Sequence, residues 1–155
     1  MNLLLLILAG PAGYEVTNWI RHDRERLELY AQAKAAAGDK PLLVIGIPRL
    51  RHGRGDAVID LTSDGHPNTF VLDVTDLSEL PDHMFGAAFV GHVLEHVEDI
   101  EAGMKEISRV ADKVFVAYPR SHTLVAWIYP GHRHILSCAP PEGSLQWKHN
   151  RFNLF

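Results

Sequence analysis

Five short apolar runs that do not alternate with polar residues constrain this chain more than any other feature of it. They fall at residues 42–45, 57–61, 69–72, 87–90 and 114–118. A strand with one wet face alternates; runs of this length without alternation belong to a parallel sheet covered on both faces. Gly46 follows the first run, Asp60 lies near the end of the second, and the third leads straight into Asp73. The fourth ends at the turn Gly91-His92. Open α/β sheets bind ligands at the C-terminal ends of their strands, so a site is expected around these residues.

Beyond that turn, apolar side chains recur at Val93, Val97, Ile100, Met104, Ile107 and Ala111. These are the steps of one helix face, and they predict a helix over residues 93–111 and a right-handed crossover to the fifth run. The earlier connections, residues 47–56 and 62–68, are rich in Gly, Pro and charge and do not read as helices. They are short for parallel crossovers, which usually take a dozen residues or more. With 155 residues the chain has the length of one domain. A formal charge of −4 argues against nucleic-acid binding by bulk electrostatics. The single cysteine, Cys138, excludes an intrachain disulfide and most cysteine-based zinc sites.

At the N-terminus, residues 3–9 are apolar with no Lys or Arg before them, so the basic region of a secretory signal is missing. Two readings stay open. One is a membrane anchor, with Trp19 and then Arg21, Arg24 and Arg26 as its interfacial aromatic and cytoplasmic flank. The other is an apolar strand or helix packed on the domain or on a partner. Residues 21–37 have the composition of a solvated helix, with Gly38 as its C-cap. The expected organisation is an N-terminal segment and helix over 1–38, a globular domain over 39–136 and a tail over 137–155. Trp147, Phe152 and Phe155 imply that the tail wraps back or docks on a partner. The protein is accordingly expected either at a membrane, with its globular part on the cytoplasmic side, or in the cytoplasm.

Ten histidines raise the question of a metal. His92, Glu95 and His96 have the H-x-x-E-H spacing of inverted zinc proteases, but they straddle a strand-to-helix turn. His132 and His134, with Cys138 and His149, match no standard ligand spacing. No metal site is therefore expected, and His96 is read as a packing or hydrogen-bonding residue. Arg49, Arg51, His52 and Arg54 form a cationic loop, suited to a phosphate or carboxylate or simply solvated.

The stretch Val90-Gly-His-Val-Leu-Glu-His-Val97, after an apolar strand and before an amphipathic helix, resembles the fourth-strand motif of Rossmann-like (class I) S-adenosylmethionine-dependent methyltransferases. The order of the preceding motifs is similar: a strand ending in glycine, one ending in an acid, one running into Asp. The resemblance covers residues 41–118. It implies an α/β, mostly parallel Rossmann-like sheet of about five strands, shortened at its C-terminal side. It also implies that Gly46 sits under the methionine part of the cofactor, that Asp60 accepts from the ribose hydroxyls, and that Asp73 accepts from the adenine amine. Gly91 and His92 would line the methyl-transfer face. The family's first turn begins with an acid and has two or three glycines, whereas this chain has Val44-Ile-Gly-Ile-Pro48. That departure and the short C-terminal part favour a non-catalytic or weakly active subunit, held at a membrane or in a larger assembly by its N-terminus and aromatic tail. The alternative is an active S-adenosylmethionine-dependent methyltransferase.

Overall fold

The computed structural model describes residues 3–48 and 52–152, with residues 3–9, 11 and 12 described as backbone. Helix α1 (Leu3–Ala37) joins the apolar N-terminal run and the expected second helix into one element. It ends at Gly38, whose φ of 63° is the left-handed conformation of a C-cap glycine. Among the described residues no helix is long and apolar enough to cross a membrane. The C-terminal half of α1 is not the solvated connector that its composition suggests. Leu29, Tyr30, Ala33 and Ala37 pack on the sheet, and the Ala37 carbonyl comes so close to Gly86 that a Cβ there would overlap it.

Strands β1 (Leu42–Ile45), β2 (Ala57–Asp60), β3 (Thr69–Val71), β4 (Ala87–Gly91) and β5 (Val114–Ala117) follow the five apolar runs. They form one sheet in the order β3-β2-β1-β4-β5, parallel throughout. The lack of polar alternation has its expected cause in β1. Leu43 and Ile45 enter a core on one face, while Leu42 and Val44 enter a second core under α1 on the other. Among the described residues, neither early crossover contains a helix. Arg54 staples them by donating to Asp64 from Nη1 at 2.5 Å and Nη2 at 3.2 Å, and to Asn68 from Nε at 3.3 Å. Its charge is therefore spent within the fold rather than offered to an anion; Arg49 and Arg51 lie outside the described residues.

Helix α2 (Ile100–Val110) links β4 to β5 but begins at Ile100, not at residue 93. Two interactions delay it, one local and one from a distant part of the chain. Asp99 caps the helix, its Oδ1 accepting from the Ala102 amide at 2.9 Å. The Glu95 carbonyl, which a helix would have used, accepts instead from the amides of Arg133 at 2.7 Å and His134 at 3.1 Å. Leu94, rather than Val93 or Val97, is the fully buried apolar side chain of this turn. Helix α3 (Leu124–Ile128) is short and buries only Ala126. Strands β6 (His134–Cys138) and β7 (Gln146–His149) pair antiparallel as a separate small sheet, so the described tail wraps back onto the domain. Trp147 packs against the main core.

Candidate functional site

A cavity of about 640 Å³ opens at the C-terminal ends of β1, β2 and β4, and Gly46, Asp60, Asp73 and His92 all line it. Gly46 is required by geometry. Its φ is 93°, and a Cβ would stand 2.8 Å from Val93 Cγ2 and 3.0 Å from the Gly91 carbonyl. Gly91 is not among the lining residues; its carbonyl lies against Gly46. Gly46→Ala is expected to cost about 1–3 kcal/mol of stability, from strain and displacement of Val93. A urea midpoint within error of wild type would contradict this packing.

Asp60 and Asp73 both hold turns and both face the cavity. Asp60 Oδ2 accepts from the Ile47 amide at 3.0 Å, and Oδ1 accepts from the Thr62 amide and hydroxyl, each at 2.9 Å. Asp73 Oδ1 accepts from the Thr75 amide at 2.9 Å and its hydroxyl at 2.8 Å. Asp73 Oδ2 makes no hydrogen bond among the described residues, and carboxylate oxygens accept more than one bond each. Glu98, Asp99 and Arg133 complete the charged lining, between apolar walls that include Ile45, Ile59, Leu72 and Val97.

His92 stands at the end of β4 with φ 57°, a left-handed conformation uncommon outside glycine. Its ring is clamped from both sides. Nδ1 donates to Glu95 Oε1 at 3.2 Å, and Nε2 lies 3.0 Å from Nε2 of His22, on α1. One proton between the two Nε2 atoms makes that contact a hydrogen bond. Glu95 is 1% exposed. Burial, the largest single influence, pushes its carboxyl up, but the hydrogen bond and charge of His92, a backbone hydrogen bond and the nearby His96 together hold it below the usual value. Burial, then the neighbouring His92, lowers the His22 imidazole to about 4. The chain of contacts continues through Glu25, 3.9 Å from His22, to Arg120, which donates to Glu25 from Nε at 3.1 Å and Nη2 at 3.0 Å.

Sequence reasoning missed His22, a lone histidine in a long helix with no local signal. It also kept the two histidine clusters apart. Across residues 50–113 the chain matches a family model described as a methyltransferase domain. That span holds Asp60, Asp73, Gly91 and His92, and joins a wholly parallel five-stranded sheet. The chain has a class I methyltransferase-like fold. No curated protein matches its sequence. Proteins of the methyltransferase-domain family generally bind S-adenosylmethionine, and the cavity of this methyltransferase-like chain has the chemistry such a ligand needs. Hydroxyl and amino donors require acceptors, which Asp60 and Asp73 offer. A positively charged sulfonium is favoured where, among the described lining residues, four carboxylates stand against one guanidinium.

Proposed function

We propose that this methyltransferase-like chain binds S-adenosylmethionine in the cavity and serves as a methyltransferase. The observation that carries this reading is the convergence of Gly46, Asp60, Asp73 and His92, drawn from separate strands, on one cavity. When bound, the cofactor supplies an electrophilic methyl group on its sulfonium sulfur. Asp60 holds the ribose hydroxyls, Asp73 Oδ2 accepts from the adenine amine, and the apolar walls exclude water from the ring. His92, fixed by Glu95 and His22, borders the open side where an acceptor enters. Direct methyl transfer depends mainly on positioning two bound reactants, and the lining needs no strong acid or base to serve it.

A second reading keeps the fold but makes the chain a non-catalytic subunit of an assembly. Two observations favour it. Both Asp60 oxygens already accept hydrogen bonds from the turn. Apolar side chains also stand exposed on α1 and α3, including Trp19 (62%) and Ile128 (62%), with Glu15 Oε1 accepting from the Leu124 amide at 3.1 Å to join the two helices.

Calorimetric titration with S-adenosylmethionine and its demethylated product separates the two. The methyltransferase reading expects micromolar binding, weakened about 10- to 100-fold by Asp60→Ala, the equivalent of one lost charge-assisted hydrogen bond. Asp60→Asn, which keeps an acceptor for Ile47, controls for collapse of the turn. Absence of binding at millimolar cofactor leaves only the subunit reading.

A further inference from the structure

We infer that Glu95, His96 and His132 form a site for a divalent transition-metal ion of the zinc class, beside the cavity. One ligand atom from each lies within 4.8 Å of the other two. Both imidazoles are held by a backbone carbonyl on one ring nitrogen, as metal-ligating histidines usually are. His96 Nδ1 donates to the Gly131 carbonyl at 2.9 Å, and His132 Nδ1 donates to the Ala126 carbonyl at 3.1 Å. A carbonyl only accepts, so each Nδ1 carries the proton and each Nε2 keeps its lone pair.

Glu95 supplies the independent observation. His92 takes its Oε1, while Oε2 is buried with no partner. A buried carboxylate oxygen left unpaired is costly, and a bound cation is what would satisfy it. Packing accounts for the edge contact of the His96 and His132 rings, 4.8 Å between centroids, but not for that oxygen. The backbone keeps the two halves of the site together. The Arg133 and His134 amides are tied to the Glu95 carbonyl, and Asn150 Nδ2 donates to the His132 carbonyl at 3.0 Å.

Two imidazoles and one carboxylate suit Zn²⁺, Co²⁺ or Ni²⁺ rather than Mg²⁺ or Ca²⁺. Tetrahedral ligands at about 2.1 Å stand roughly 3.4 Å apart, so the exposed His96 ring moves in on binding. Three protein ligands leave a position for water or an oxygen donor, and because His96 lines the cavity, that position adjoins it. The site also explains why neither histidine cluster matched a ligand spacing. His92 belongs to the motif but acts by orienting Glu95, and the third ligand comes from the loop before β6.

The site stands whether or not the cofactor reading does, and its test uses no cofactor. The full-length protein, stripped with EDTA, is titrated with ZnCl₂ and separately with CoCl₂. One Zn²⁺ per chain is expected, with visible Co²⁺ absorption of low-symmetry nitrogen and oxygen ligation. His96→Ala, at an exposed position, should weaken Zn²⁺ binding on the order of 100-fold or more and abolish the Co²⁺ bands with the far-UV spectrum unchanged. Glu95→Gln should act in the same direction, and His66→Ala, on an exposed loop, should change neither. No binding at about 0.1 mM Zn²⁺, or binding indifferent to both His96→Ala and Glu95→Gln, overturns the assignment.

Discussion

Phe89→Ala is expected to cost about 3–5 kcal/mol of folding stability, the range for deleting a fully buried aromatic ring. Phe89 is fully buried at the centre of β4 and lies opposite Val44 on β1 and Phe115 on β5. On the α1 side of the sheet its ring meets Tyr30 edge-on at 5.5 Å and His52 at 5.0 Å. The other buried contacts of α1 on this face are alanines, Ala33 and Ala37, which hold little apolar area. Phe89 is therefore a main anchor between helix and sheet, and its loss also loosens the helix that brings His22 to His92. The expected penalty is a large share of the roughly 5–15 kcal/mol that stabilises an ordinary domain. Urea denaturation should show a lower midpoint with the slope unchanged. Phe70→Ala, at a half-exposed position on edge strand β3, should stay within about 0.5 kcal/mol. A loss below about 1.5 kcal/mol at Phe89 would mean that α1 is held by something else.

The strands were legible because burial on both faces leaves a signature that needs no partner to be seen. Each apolar run became a strand, shifted by at most a residue. The start of α2 was not legible for the opposite reason. The periodic positions Val93 and Val97 fit a helix face, but what decides the boundary is a cap at Asp99 and a carbonyl claimed by β6, a strand that begins at His134. Asp60 and Asp73 were legible through their order along the chain, since parallel strands bring their C-terminal ends to one edge. Their second duty, holding turns through Thr62 and Thr75, coexists with that placement. The Glu95, His96 and His132 cluster was hidden by distance. A spacing rule applied within either histidine-rich stretch sees only part of a ligand set that the fold assembles from both.

Acidification from pH 7 to 5 is expected to destabilise the protein, with His22 making the largest single contribution. Its folded value of about 4 lies below the 6.5 of an unfolded chain. Between those values the unfolded state binds a proton that the folded state does not, so stability is full above 6.5 and falls as pH drops toward 4. For a shift of that size the loss by pH 5 is about 2 kcal/mol. Burial lowers His52, His132 and His134 as well, and each adds a loss of the same sign. The largest cause at His22 is burial, and its neighbours add to it. Its ring is packed against His92 and near the Arg120 and Arg26 guanidinium groups, and the nearby Glu25 only partly offsets them. His22→Gln keeps an amide that can meet His92 Nε2 but cannot take up the charge. Chemical denaturation in EDTA, so that no ion adds its own pH dependence, should show wild type losing more stability than His22→Gln between pH 7 and 5. The difference should be about 2 kcal/mol. Parallel pH profiles for the two proteins would show that His22 does not reach His92 as described. A variant that loses more than wild type would reverse the sign of the argument.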